Sequence, residues 1–278
     1  IEAEHLCMTM RGARAAGAKI KECWSRRLGA QLYTVRTYIQ SERDFRESMR
    51  RVAAIGYRDV QISGAGRIDP RTMRAICDEY GLKIGLTHTD PERILNDVEG
   101  VIADHDALGC DYVGIGGMPE RYRSAAWIDR FAEDFTRPAE RLRAAGKRLM
   151  YHNHNFEWER MPDGRRMIDV LLASMPAELM GITLDTYWVQ AAGADVLAFI
   201  DRVQDRIPCV HLKDMAVKGF EQRFAPVGEG NIDFARILAR LQQIGKTQYM
   251  YVEQDASYGE DPFDCLRRSY DHVRAMGY

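Results

Sequence analysis

No apolar run in this chain approaches the roughly 18–20 residues that a membrane-spanning helix needs. Ala13–Ala18 is small and only weakly apolar, and lacks the hydrophobic centre of a signal peptide. Neither sign of charge dominates: 39 Lys and Arg against 41 Asp and Glu leave a formal charge of −2. A polyanion-attracting excess is therefore missing, and nucleic acid is not an expected partner. CxxC spacing is absent among the six cysteines, Cys7, Cys23, Cys77, Cys110, Cys209 and Cys265. A chain of 278 residues buries enough core to need no disulfide framework. They are expected to be reduced, mostly buried thiols in a cytoplasmic protein. A GxGxxG turn after the first apolar strand is also missing, which argues against a doubly wound nucleotide-binding sheet.

What is present is a rhythm that begins at Leu28. Apolar, β-prone runs alternate with segments whose apolar residues recur at helical spacing. The strand-like runs are 28–35, 58–63, 83–88, 111–116, 148–154, 179–185, 208–213 and 248–254. Between them lie amphipathic stretches such as the one carrying Phe45, Met49 and Val52. Ser41 is its expected N-cap and Gly56 its stop. Gly81, Gly109, Gly146 and Gly245 end further helices in the same way. Eight strand–helix repeats in about 250 residues predict a single-domain (β/α)8 barrel over residues 28–278. Residues 1–27, with Arg11, Arg14, Lys19, Lys21, Arg26 and Arg27, read as an N-terminal extension of undecided status.

The active site of such a barrel lies at the C-terminal ends of its strands. His88 ends the third strand, and His152 and His154 end the fifth, with Glu157 a turn later. Asp185 ends the sixth, His211 and Lys213 the seventh, and Glu253, Gln254 and Asp255 the eighth. His152 and His154 sit two apart on one strand and so share a face. The bland alternative is a surface HxH beside a solvated Glu. His5, His105 and His272 fall elsewhere and are expected at the surface. Barrel strands are buried on both faces, so charged residues at their ends cost desolvation unless paired or bound to a cation. Oxygen-rich ligands with one His suit Mn²⁺, Mg²⁺ or Co²⁺ better than a structural Zn²⁺ site. Gln31 and Tyr33 are candidate lining residues. Gly228-Glu229-Gly230 reads as a turn, because Glu229 argues against a phosphate cradle.

The segments LGAQLYTVR, YHNHNFEW, LDTYW, CVHLKDM, VGEGNIDF and YVEQD together resemble, in that order, the xylose-isomerase-like TIM-barrel proteins often labelled sugar phosphate isomerases/epimerases. Inosose dehydratases and 3-keto-glycoside-cleaving enzymes are similar. The resemblance covers about residues 28–278. It implies one divalent metal ion, Mn²⁺ first, with Mg²⁺, Co²⁺ or Zn²⁺ as alternatives. Asp185, His211 and Glu253 match three ligand positions. The fourth is open between His152, which stands where many relatives have Glu, and Glu157, which keeps three carboxylates and one His and is the expected ligand. Trp188 stands where some epimerases place a substrate-contacting His, and is read either as a sugar-stacking wall or as packing.

The implied activity is isomerisation or epimerisation of a sugar or keto-sugar. A proton next to a carbonyl is removed, an enediolate forms, and the proton returns elsewhere. The alternative is a lyase, either an inosose-type dehydratase or a 3-keto-glycoside eliminase. His152, His154 and Glu253 are the candidate catalytic residues. His88, Trp188, Lys213 and Gln254 are the candidate substrate-binding residues, with an ion pair to Asp214 as the equal alternative for Lys213. A small-molecule sugar is the expected partner, without nucleic acid or membrane, and the resemblance implies a homo-oligomer.

Overall fold

A computed structural model describes residues 28–278. The extension read over 1–27, with His5, Cys7 and Cys23, lies outside the described residues. The strands are β1 (Leu28–Gln31), β2 (Asp59–Ile62), β3 (Lys83–His88), β4 (Tyr112–Ile115), β5 (Arg148–His152), β6 (Met180–Asp185), β7 (Cys209–Leu212), β8 (Asp214–Lys218), β9 (Glu221–Ala225) and β10 (Tyr249–Val252). β1–β7 and β10 are parallel neighbours in one closed barrel, ordered β1-β10-β7-β6-β5-β4-β3-β2. β1 pairs with both β10 and β2, which completes the ring. This is the expected (β/α)8 architecture.

The outer ring consists of α1 (Glu42–Ile55), α2 (Pro70–Glu79), α3 (Pro91–Asn96), α4 (Val98–Leu108), α5 (Ile128–Ala144), α6 (Met167–Ser174), α7 (Thr186–Ala191), α8 (Val196–Arg202), α9 (Phe234–Ile244) and α10 (Pro262–Ala275). Their starts are set by side-chain caps. Ser41 Oγ accepts from the Asp44 N–H, the N-cap contact, and donates to the Asp44 carboxylate. Asp69, Asp90 and Asp261 cap helices that open on Pro, whose fixed φ suits the first turn. Gly109 and Gly245 end α4 and α9 in the left-handed region, where a Cβ is penalised. Phe45, Met49 and Val52 of α1 and their counterparts on the other helices bury against the outward faces of the strands.

Inside the barrel, alternate residues of each strand form levels. β5 contributes Arg148, Met150 and His152 from bottom to top, and β10 with its extension contributes Tyr249, Tyr251 and Glu253. Leu86, Met150, Cys209, Tyr249 and Tyr251 make a small apolar cluster of their own inside the ring. Polar side chains lie above and below this waist.

Three local features differ from the sequence expectation. The strand read over 28–35 stops at Gln31, and Leu32–Tyr38 is a 3-10 turn, because the Gln31 amide oxygen accepts the Tyr33 N–H and bends the chain. Two helices rather than one stand in both the β3–β4 and β6–β7 connections. After β7, β8 and β9 form an antiparallel hairpin where only a loop was expected. Cys77, Cys110, Cys209 and Cys265 are free and buried.

Candidate metal and sugar site

The upper mouth of the barrel collects the residues whose strands end there. One atom each from His152, Asp185, His211 and Glu253 lies within 4.8 Å of all the others, and all four residues are buried. The two imidazoles are oriented from outside. His152 Nδ1 is 3.0 Å from the Gly116 carbonyl, which can only accept, so this nitrogen carries the proton. Nε2 then presents its lone pair to Asp185 Oδ2 at 3.1 Å. His211 repeats the pattern. Its Nε2 is 2.6 Å from Gln61 Oε1, and its Nδ1 faces Glu253 Oε2 at 2.9 Å and Asp185 Oδ2 at 3.6 Å. Two lone pairs and two carboxylates converge on one point, with the outer N–H of each His tied to an oxygen. That is how metal-ligating imidazoles are held.

Lys213 is fully enclosed, with Nζ 3.0 Å from Asp185 Oδ2, 2.9 Å from Glu253 Oε2 and 2.9 Å from Asp255 Oδ1. Burial works against ionisation of Asp185, yet the Lys213 ammonium holds its carboxyl well below the usual range. Glu253 is depressed by the same ammonium. Burial and the nearby Glu253 push Asp255 up to about 6. When Asp255 is ionised it neutralises Lys213, and the two remaining carboxylates leave a buried charge of about −2, which one divalent cation balances. The donor set therefore fits a metal ion. With two nitrogens and two oxygens it is less oxygen-rich than expected, which favours Mn²⁺, Co²⁺ or Zn²⁺ over Mg²⁺.

Glu157 lies outside this group, contrary to its expected place as a ligand. Its carboxylate accepts from the Tyr151 hydroxyl at 2.7 Å and from the His154 N–H at 2.9 Å. Burial pushes it up to about 7, even though both hydrogen bonds favour the charged form. His152, one residue from the end of the apolar strand body, faces the lumen, whereas the Glu157 turn leads away. Lys213 does not pair with Asp214 either. Asp214 is turned aside, and its two oxygens accept the N–H groups of Met215, Gly228, Gly230 and Ile232. The Gly228-Glu229-Gly230 segment is thus the turn it was read to be.

Beside the four residues is a cavity of about 230 Å³ lined by Tyr33, Ser63, His88, His152, His154, Lys213, Glu253 and Asp255 among others. It is smaller than the ~300–1,000 Å³ typical of drug-sized ligands. His154 faces it with an Nδ1 that has no hydrogen-bond partner. Burial pushes its imidazole down to about 3, so it is neutral. His88 Nδ1 is 3.0 Å from Ser63 Oγ, while its Nε2 has no partner. A Cβ at Gly116 would come within 2.9 Å of His88 Nδ1, so the bare backbone is what lets that ring stand there. The Trp188 ring lies 5.2 Å from His154 and 5.5 Å from Lys213 Nζ. Phe224 of β9 stacks on Tyr187 at 4.3 Å and meets Trp188 edge-on at 5.8 Å. Gln31 donates to Glu253 Oε1 at 2.9 Å. Gln254 does not line the cavity; its amide donates to the Ala256 carbonyl.

Gln61, Ser63, Gly116, Asn153 and Phe224 were not singled out in the sequence. A signal for the first two existed. In Arg58–Ser63, polar residues recur at every second position of a strand that should be apolar on both faces. Asn153 accepts the Asp185 N–H at 3.0 Å and locks β5 to β6. His105, expected at the surface, is buried. Its Nδ1 is 2.7 Å from the Val101 carbonyl and its Nε2 2.8 Å from Thr87 Oγ1, which pins α4 to the strand that carries His88. His272 is exposed, as expected.

Residues 49–275 match the model of the xylose isomerase-like TIM barrel family. An inosose dehydratase of Lacticaseibacillus casei is 22% identical over 272 aligned residues, which cover 83% of this chain and 89% of that protein. Among solved structures, a sugar phosphate isomerase/epimerase from Parabacteroides distasonis ATCC 8503 superposes with a TM-score of 0.76 at 22% identity, covering 89% of this chain and 93% of the other. A D-allulose 3-epimerase from Methylomonas sp. gives 0.68 at 17% identity, covering 90% and 97%. These structures share the fold.

Proposed function

The chain belongs to the xylose isomerase-like TIM barrel family, and from that premise we propose that it is a divalent-metal-dependent isomerase or epimerase acting on a sugar or keto-sugar. The observation that carries the reading is the pair of imidazoles, His152 and His211, whose outer nitrogens are tied to Gly116 and Gln61 and whose inner nitrogens meet Asp185 and Glu253. These four residues would hold the ion. When bound there, a divalent cation polarises a carbonyl and makes the neighbouring C–H more acidic.

The remaining steps belong to side chains on the cavity wall. His154 is neutral, unpartnered and within reach of a small ligand, so it takes the proton from carbon. Lys213, with its three N–H groups on Asp185, Glu253 and Asp255, keeps the carboxylates ionised. His88 and Ser63 bind hydroxyls. Trp188 and Phe224 pack behind His154 and Lys213 and hold them toward the cavity. Return of the proton from His154 to the neighbouring carbon isomerises the substrate; delivery of a proton from water to the opposite face of the same carbon, with His154 giving its own proton up to solvent, epimerises it. The dehydratase named among the relatives favours a second reading, in which the same abstraction is followed by loss of water from the β position.

Proton NMR in D₂O with ketohexoses and inososes separates the two. Deuterium entering next to the carbonyl with the carbon skeleton and all hydroxyls retained supports the first reading. Loss of water supports the second. His154→Ala should lower exchange by ~10²–10⁴-fold while leaving the metal content of the protein unchanged. Full exchange in that variant would remove His154 from the mechanism.

A further inference from the structure

The lower end of the barrel holds a second cavity, of about 360 Å³, larger than the one at the upper mouth. Its walls include Lys83, Gly85, Gly109, Asp111, Tyr112, Gly146, Lys147, Arg148 and Tyr249. The space exists because glycines stand where side chains would fill it; a Cβ on Gly85 would run into the Tyr249 ring and the Tyr251 hydroxyl. Arg148, two positions below Met150, turns inward at the bottom level. A Cβ on Gly181 would approach both Met150 and the Arg148 guanidinium.

The groups left without partners around this cavity are donors. Among the described residues, Arg148 Nε is sealed from solvent and makes no hydrogen bond, and no carboxylate lies within ion-pair distance of that guanidinium. Its Nη2 donates to the Ala177 carbonyl. Tyr251 is fully buried and its hydroxyl has no partner. Lys83 is exposed and has no carboxylate at ion-pair distance among the described residues; its hydrogen-bond partner is the Tyr249 side chain, and its Nζ rests 5.2 Å from the centre of that ring. Lys147 is already satisfied by Asp106 and Asp111 at 2.9 and 3.3 Å. The buried carboxyl on this level, Asp59, is pushed up to about 6 by burial, against the pull of Lys83. A buried donor without an acceptor costs about 1–3 kcal/mol, and more when charged, so such groups ask for an occupant.

We propose that this cavity binds a small oxyanion, the phosphate or carboxylate group of a metabolite, with Arg148 as its principal contact, Lys83 at the entrance and the Tyr251 hydroxyl on the level above, beside Gly85. Arg148 supplies the planar donor fork that suits both groups. The site is separate from the upper mouth: β5 runs from Arg148 to His152, roughly 13 Å at ~3.3 Å per residue.

Isothermal titration of the full chain with inorganic phosphate, and separately with malonate, tests this and tells the two sources apart. Saturable one-to-one binding is expected for at least one of them. Arg148→Gln should weaken it at least ~10-fold. Lys83→Gln, at an exposed side chain that places no demand on folding, should weaken it ~3-fold or more. His154→Ala should leave it unchanged. No saturable binding of either anion, equal affinity in both charge-removing variants, or loss of binding in His154→Ala would each overturn the proposal. If Arg148→Gln does not fold, Lys83→Gln and His154→Ala still decide.

Discussion

Glu157 is a carboxyl group closed off from water, with the Tyr151 hydroxyl and the His154 N–H as its hydrogen-bond donors. Its ordinary value is 4.5 and burial pushes it up to about 7. Between these values the folded chain binds a proton that the unfolded chain has lost. The contribution to stability is therefore fully present below about pH 4.5 and is lost as the pH rises through about 7, roughly 2–4 kcal/mol in all. Glu157→Gln removes that dependence. Denaturant unfolding between pH 5 and 8 should show the wild type losing stability relative to the variant as pH rises, while the metal content of the two stays equal. A pH-independent difference would contradict the assignment, and loss of metal in the variant would return Glu157 to the ligands. Sequence alone could not separate His152 from Glu157, because both are ligand types five residues apart. What separates them is the face each presents. His152 is at the end of a lumen-facing alternation, whereas Glu157 sits in a turn that doubles back on Tyr151.

The connection from β7 to α9 shows how one side chain organises an element. Asp214 gathers four backbone N–H groups, those of Met215, Gly228, Gly230 and Ile232. This closes the base of the β8–β9 hairpin and sets Phe224 against Tyr187 and Trp188. Asp214→Ala leaves several of those donors without an acceptor, at a cost of about 3 kcal/mol. Thermal unfolding of the variant should show a midpoint lower by roughly 6–12 °C, and an unchanged midpoint would mean that other contacts hold the loop. Barrel strands and helices were readable because their signals are local: apolar runs, Ser41 as a cap, Gly56 and Gly245 as stops. The hairpin was not, because its order comes from an aspartate that reaches N–H groups up to eighteen residues away. In sequence an ion pair with Asp214 and a substrate contact were equal readings of Lys213, and only the tertiary path of the strand sends the two side chains in different directions.

At the scale of the whole molecule, the barrel is a tube with a short apolar waist and polar ends. Closure of the ring was legible from the repeat count, and the site's position followed from the rule that places it at the strand ends. The lower cavity was not legible, because Arg148 and Tyr251 are four residues below His152 and two below Glu253 on strands that otherwise read as apolar. The upper end carries the larger electrostatic strain. His152 and His211 are turned to offer ring nitrogens inward, their outer nitrogens bonded to Gly116 and Gln61, and Lys213 alone cannot balance Asp185, Glu253 and Asp255. A divalent ion that binds the folded chain and not the unfolded one adds stability that grows with its concentration, about 4 kcal/mol at a thousand times its dissociation constant. Chelation of the purified, metal-loaded protein should therefore lower its unfolding midpoint by roughly 8–16 °C, and re-addition of Mn²⁺, Co²⁺ or Zn²⁺ should restore it while Mg²⁺ restores less. Asp185→Asn should show neither the fall nor the recovery, because it removes one of the two carboxylates the ion must neutralise. A midpoint indifferent to chelator in the wild type, or a full response in Asp185→Asn, would mean that the four converging side chains are held by Lys213 alone.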